Sequence, residues 1–168
     1  VVAPHAPGKR PHVDEFLKVR GGPGLYKLVV QTFDPDALKK RIDAHKLKLE
    51  RDAVFRGERM LTLDVELFGT SLEAFTYADR SKWWGYDSAI KYGQSDLVDE
   101  ILGCDLVIEN PGAVGRLIAD VFNAEFDPAR RSVRFPKNTT IPFDERTIRL
   151  VAPTDARRGV VTLDVRVK

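Results

Sequence analysis

The sequence contains few of the residues that build disulfides and metal sites. Cys104 is the single cysteine, so an internal disulfide is excluded, and a reducing intracellular compartment is favoured over a secreted disulfide scaffold. The three histidines, His5, His12 and His45, are scattered, and no group of Cys and His residues has the spacing of a zinc site. No nucleotide-binding glycine pattern is present either. We therefore expect neither a metal nor a cofactor.

The sequence also lacks long apolar runs, internal repeats and low-complexity segments. No stretch of about 18 apolar residues exists, so the sequence predicts no membrane-spanning helix. The chain has 168 residues, of which 43% are hydrophobic and 31% are charged. This composition is typical of a globular protein, and the length suits a single domain. No stretch of the sequence resembles a known protein family.

Charge is unevenly distributed along the chain, although the net charge is only +2. The net charge is +5 over residues 1–59, −7 over 60–109, −2 over 110–128 and +6 over 129–168. One interpretation is that the basic ends pack against the acidic middle and neutralise it. The other is that the basic ends face an anionic partner, either RNA or an acidic protein.

Residues 1–24 have the composition of an extended N-terminal arm. This segment contains four prolines and four glycines, and only Val13–Val19 could form a short helix or strand. A docked arm of this kind is typical of a subunit in a larger assembly. Packing of the arm on its own domain is an alternative. The chain begins at Val1, which is compatible with cleavage of a targeting segment and hence with the mitochondrial matrix, and equally with removal of an initiator methionine.

Residues 25–168 are predicted to form one α+β domain with a mixed or antiparallel sheet of five to seven strands. Three helices are expected to pack on this sheet; they begin at Asp34-Pro35, at Ser95 and at Asn110-Pro111. The expected strands are Leu25–Thr32, part of Val54–Phe68, Ser71–Tyr77 (alternatively a short helix), Asp105–Glu109, Ser132–Phe135, Arg146–Val151 and Val160–Val167. Cys104 lies in an apolar run, which predicts a buried, inert thiol.

Aromatic and cationic residues are concentrated in one stretch, which we call the aromatic patch. Its members are Arg80, Lys82, Trp83, Trp84 and Tyr86. Trp, Tyr and Arg carry much of the binding energy of protein interfaces, so this patch is our candidate protein-docking site. Stacking on single-stranded nucleic acid is an alternative. Anchoring of a long loop on the protein's own core is the third interpretation.

An enzymatic interpretation uses the same stretch, from Tyr77 to Tyr92. Asp79 or Asp87 would act as the acid or base and a neighbouring tyrosine would donate a proton. Only proximity in the sequence supports this arrangement. We therefore propose no catalytic residues.

The C-terminal third is basic and rich in predicted strands. The candidate nucleic-acid-binding residues are Arg130, Arg131, Arg146, Arg149, Arg157 and Arg158. Such a surface could follow the backbone of RNA or DNA, but few aromatic residues accompany it, so base recognition is not indicated. Alternatively, these arginines form a solvated strand face and pair with acidic residues of the middle segment.

Three classes of function follow from these observations. The first, which we favour, is a non-catalytic structural or accessory subunit of a large multi-subunit assembly, docked through the arm and the aromatic patch. The second is a ribosomal-type protein that contacts nucleic acid through its basic ends. The third is a small enzyme with its site between Tyr77 and Tyr92. Other protein subunits are the expected partners, and RNA is the alternative partner.

Overall fold

The architecture is described from a computed structural model, which shows an α+β fold with two sheets. The described residues are 11–20, 24–55, 57–63, 65–76, 97–135, 146–154 and 159–167. Within them the helices are α1 (Pro11–Arg20), α2 (Pro35–Ala44), α3 (Val65–Phe68) and α4 (Pro111–Phe122). The strands are β1 (Lys27–Thr32), β2 (Leu49–Phe55), β3 (Glu58–Leu63), β4 (Ser71–Thr76), β5 (Val98–Val107), β6 (Glu125–Asp127), β7 (Ser132–Phe135), β8 (Arg146–Val151) and β9 (Gly159–Val167).

The first sheet has the strand order β1-β4-β3-β2. Helix α2 follows β1 and begins as predicted, because the Asp34 carboxylate accepts a hydrogen bond of 2.8 Å from the backbone N–H of Ala37 and Pro35 occupies the first turn. Strands β2 and β3 then form an antiparallel hairpin around Gly57, whose positive φ of 83° suits glycine. Strand β4 returns beside β1 and pairs with it in parallel.

The second sheet repeats this topology and adds one strand. Its order is β6-β7-β8-β5-β9. Strand β5 is followed by α4, then by the antiparallel strands β6, β7 and β8, and β8 pairs in parallel with β5. Each sheet is thus built from a strand, a helix and three further strands, of which the last lies beside the first. Strand β9 pairs antiparallel with β5 on its other side.

The two units share one hydrophobic core. Buried residues of α2, α4 and both sheets form a single cluster. The Arg41 side chain on α2 also donates a hydrogen bond of 2.6 Å from Nε to the carbonyl oxygen of Val121 on α4. An isolated antiparallel bridge between Leu25 and Val160 joins the two sheets at their edges. We call the sheet surface that packs on α2 and α4 the helix face, and the opposite surface the open face.

The helix α1 lies within the segment for which the sequence predicted an extended arm. Val13 and Phe16 on this helix are buried, and the Phe16 ring packs edge-on against Tyr26 with 5.2 Å between ring centroids. Residues 11–20 therefore belong to the packed structure rather than to an extended segment. Residues 1–10 and 21–23 lie outside the described part of the chain.

Several predicted elements are confirmed, and others differ from the prediction. Helices α2 and α4 begin where expected, and the three C-terminal strands lie at the predicted positions. The helix predicted after Ser95 is instead the first half of β5. The strand predicted within Val54–Phe68 is a hairpin followed by the short helix α3, and two sheets replace the single sheet that we expected.

Candidate functional site

The aromatic patch and the alternative enzyme site lie outside the described residues. The structure describes no residue between 77 and 96. The roles predicted for Arg80, Lys82, Trp83, Trp84 and Tyr86 therefore stay predictions. The same holds for the tyrosines and aspartates of the enzymatic interpretation.

The candidate nucleic-acid-binding arginines have different positions in the structure. Arg157 and Arg158 lie outside the described residues, and Arg146 is described only as the first backbone position of β8. Arg130 and Arg131 lie on the exposed turn between β6 and β7. The Arg130 side chain is 84% exposed and lies 3.8 Å from the Asp127 carboxylate, which is a weak surface contact.

Arg149 is held by two carboxylates on the open face of the second sheet. Its Nε lies 2.6 Å from Asp105 on β5, and its two terminal nitrogens lie 2.6 and 3.0 Å from Asp164 on β9. Hydrogen bonds to Asp164 and Asp105 raise the pKa of Arg149 further above its usual range. Arg149 thus links β8 to β5 and β9. One of its partners, Asp105, comes from the acidic middle segment, and the other, Asp164, comes from the C-terminal segment.

Asp105 completes this network. Burial by itself would raise the pKa of Asp105, but hydrogen bonds from Arg149 and from the Thr162 hydroxyl outweigh burial, and the pKa lies below its usual value. Gly103 permits the close approach of the strands, because a Cβ at this position would overlap the backbone oxygen of Thr147. The specific partners were not predictable from the sequence, because they come from three separate strands.

A second group of polar residues lies on the open face of the first sheet, opposite the face on which α2 packs. Although α2 and α4 do not cover this face, these residues are buried. The Glu73 carboxylate on β4 is 7% exposed, accepts a hydrogen bond of 2.6 Å from Lys27 on β1 and another of 3.2 Å from Thr62 on β3. The neighbouring Ser71 side chain is also buried. Sequence reasoning missed Glu73; the only available signal was a carboxylate within the apolar run of β4.

An open pocket of about 330 Å³ lies beside α3. Its walls are Lys46, Leu47, Lys48, Leu63, Glu66, Leu67 and Phe68. Leu63 and Phe68 are buried and form its apolar floor, whereas the lysines and Glu66 are exposed. The pocket thus combines a small apolar surface with a charged rim.

Exposed apolar side chains lie on the adjacent strands β5 and β9. Val165 pairs with Ile101, Val167 pairs with Val98, and the side chains of Leu163, Val165 and Val167 alternate with Asp164 and Arg166. Because Asp164 lies on the open face with Arg149, the alternating apolar residues lie on the helix face. The exposed fractions are 53% for Ile101, 43% for Leu163, 40% for Val165 and 65% for Val167. We call these four residues the apolar ribbon.

Part of β9 lies within the core, whereas the apolar ribbon does not. Near the start of β9, Val160 is buried in the core opposite Leu106. The four residues of the apolar ribbon are not members of that core cluster. Alternation of apolar residues in the sequence correctly predicted a strand here, but it could not show that these side chains are 40–65% exposed.

The described residues show neither a metal-binding cluster nor a membrane-spanning helix. Within them, no group of three or more His, Cys, Asp or Glu residues could hold a metal ion. None of the described helices is long and apolar enough to cross a membrane.

Comparison with known proteins gives distant structural similarity and no family. No protein-family model matches the chain, and no curated protein matches it. Among solved structures, the crystal structure of a hypothetical protein from Staphylococcus aureus is similar over 80% of this chain, with 14% sequence identity and a TM-score of 0.44. The chain spans 54% of that protein, or about half its length. The proposals below therefore depend on the residues alone.

Proposed function

We propose that the protein is a non-catalytic subunit of a multi-subunit assembly and that it docks on a protein partner through the apolar ribbon. The observation that supports this function is the set of four exposed apolar side chains on adjacent strands, Ile101, Leu163, Val165 and Val167. Contiguous exposed apolar surface is typical of interaction sites. Its removal from water contributes about 25 cal/mol per Å² to binding.

The segments predicted from the sequence belong to the same proposal with one change. The aromatic patch and residues 1–10 are further docking elements. Helix α1 is not, because Val13 and Phe16 are buried in the described structure. Docking through α1 would require removal of these side chains from their packing.

The described arginines give less support to a nucleic-acid-binding function. Of Arg130, Arg131 and Arg149, only the first two lie on an exposed turn, and the third is neutralised by Asp105 and Asp164. Non-specific affinity for nucleic acid depends on cations that can displace counterions from phosphates. A test of the proposed function must therefore distinguish a protein partner from an RNA partner.

The test is the native mass of the complex that the full-length chain forms in its source cells. We expect a mass far above twice 18.9 kDa, unchanged by nuclease treatment. Ile101→Lys should abolish the large complex, because a charge in the apolar ribbon would lose its hydration on docking. The matched control is Val54→Lys, which places the same charge at another exposed valine, 70% exposed on β2, and should retain the complex.

Two outcomes would contradict the proposed function. A lone monomer from gentle extraction would show that no assembly forms. A large complex that disappears after nuclease treatment would show that the protein is instead a component of a ribonucleoprotein. Circular dichroism of each variant separates loss of docking from loss of folding.

A further inference from the structure

We propose that β9 pairs antiparallel with β9 of a second copy of the chain, about a two-fold axis through Val165. The inference rests on the proposed function, since it names the first partner of the apolar ribbon. It makes the subunit a homodimer whose two five-stranded sheets join into one sheet of ten strands. A two-fold axis is the commonest symmetry of homo-oligomers, and it places the same residues on both sides of the interface.

The position of β9 supports strand pairing with a second copy. Strand β9 is the outermost strand of its sheet, and within the described residues the contact on its outer side is the bridge from Val160 to Leu25. An outer strand offers backbone N–H and C=O groups to any further strand. The segment from Leu163 to Val167 contains no proline or lysine, which are residues that commonly prevent such pairing.

Charge selects the register. Asp164 shares the Arg149 guanidinium with Asp105, so this group of two carboxylates and one guanidinium keeps one net negative charge. If the axis passed through Asp164, the group would face its own copy, and like charges directly opposite each other on paired strands are destabilising. An axis through Val165 places Asp164 opposite Arg166 of the second copy, and this pairing occurs twice. Opposite charges in that position stabilise antiparallel strands. The sequence alternation of β9 thus makes it complementary to itself in this register.

The apolar residues agree with the same register. An axis through Val165 places the two copies of Val165 opposite each other and Leu163 opposite Val167 of the second copy. All three side chains lie on the helix face and are between 40% and 65% exposed. Pairing brings six exposed apolar side chains into lateral contact across the axis. Charge and apolar pairing therefore favour the same arrangement.

Disulfide trapping tests the register in the purified full-length chain. In the Val165→Cys variant the two cysteines would lie directly opposite, with Cα atoms about 4.5–5.5 Å apart. This separation falls within the range that a disulfide requires, about 4.4–6.8 Å. The matched control is Val167→Cys on the same face, whose two copies would lie four residues apart along the strands, roughly 13 Å. Cys104 is buried, and the wild-type chain serves as the control for its reactivity.

We expect the wild-type chain to have twice the monomer mass of 18.9 kDa by light scattering. Under mild oxidation Val165→Cys should form a covalent dimer several-fold faster than Val167→Cys. A monomer over the whole concentration series would overturn the homodimer. Equal rates of disulfide formation in the two variants would overturn the register. If β9 instead pairs with a strand of another protein, the choice of partner is wrong.

Failure of this inference is distinguishable from failure of the proposed function. The homodimer is tested with the purified chain alone, whereas the assembly is tested by the native mass in cells. A monomeric purified chain that still enters a large, Ile101-dependent complex would overturn only the homodimer. A trapped dimer with no larger complex in cells would contradict only the assembly.

Discussion

Glu73 and Lys27 form the most buried ion pair in the described part of the chain. The Glu73 side chain is 7% exposed and the Lys27 side chain 32%, and 2.6 Å separates the charged atoms. A buried carboxylate is costly unless hydrogen bonds and an opposite charge compensate for the loss of water. Lys27 and Thr62 provide this compensation, so the pair connects β1, β3 and β4 on the open face.

Lys27→Met should lower the free energy of unfolding by about 1–3 kcal/mol, because it leaves the Glu73 carboxylate buried without its cation. The magnitude is below that of a fully buried pair since Lys27 is a third exposed. Urea denaturation measures the change. The control is Lys39→Met, which removes an exposed pair with Asp43 and should cost less than about 0.5 kcal/mol. Equal losses for the two variants would show that the Glu73 pair does not stabilise the fold.

The Asp105–Arg149 contact should make stability depend on acid pH. The folded pKa of Asp105 is lowered, so its contribution to stability is complete above the unfolded value of about 3.9 and is lost as pH falls through the folded value. Between pH 6 and pH 3, the wild-type chain should therefore lose more unfolding free energy than Arg149→Gln. Arg130→Gln, on an exposed turn, should keep the wild-type dependence. An equal acid loss in the wild type and Arg149→Gln would exclude this contact as the cause.

Single-residue environments were predictable where the flanking residues determine them. Cys104 lies within a largely apolar run, and it is buried as predicted; burial raises the pKa of its thiol to about 11. Glu73 was not predictable, because Lys27 and Thr62 reach it from strands 46 and 11 residues away in the sequence. A buried charge is recognisable only together with the partner that compensates it.

At the scale of elements, the predictions succeeded where a local signal begins the structure. Asp34-Pro35 and Asn110-Pro111 mark the starts of α2 and α4, since proline fits the first helical turn. The first half of β5 was predicted as a helix because Leu97, Ile101 and Leu102 have helical spacing. In the structure this segment is a strand whose pairing with β9 is interrupted by register shifts. Such shifts break the alternation by which a strand is recognised.

Two glycines of α4 should respond in opposite ways to replacement by alanine. A Cβ at Gly115 would overlap the Phe126 ring and lie 2.7 Å from Leu150, so Gly115→Ala should lower the free energy of unfolding by about 1–3 kcal/mol. A Cβ at Gly112 would meet only the Arg116 side chain at 3.9 Å. Gly112→Ala should therefore raise stability by about 0.4–1 kcal/mol, because alanine restricts the unfolded chain. Thermal and urea denaturation measure both changes, and destabilisation by Gly112→Ala would contradict the packing described for α4.

At the scale of the whole molecule, the repeated topology was invisible in the sequence. The two units share the order of strand pairing, not a pattern of residues. Their helices also begin differently: Asp34 caps α2 with its side chain, whereas Asn110 adopts a left-handed conformation before α4 without a side-chain cap. The partial exposure of the apolar side chains of β9 was equally unpredictable, because exposure depends on which parts of the folded chain pack against them. The apolar ribbon is therefore a property of the assembled fold.

The shared core predicts that both units unfold together. Leu61 of the first sheet and Cys104 of the second belong to one buried cluster, and the Arg41–Val121 hydrogen bond also joins the units. Leu61→Ala should lower the free energy of unfolding by about 2–5 kcal/mol. Unfolding can be followed in urea by circular dichroism and by labelling of the Cys104 thiol, which lies in the second unit. If unfolding is cooperative, Leu61→Ala in the first unit should shift both urea midpoints by the same amount. Val54→Ala, at an exposed position of the first unit, should shift neither midpoint. A Cys104 midpoint that stays at its wild-type value in Leu61→Ala would show that the two units unfold independently, and the shared cluster would then not couple them.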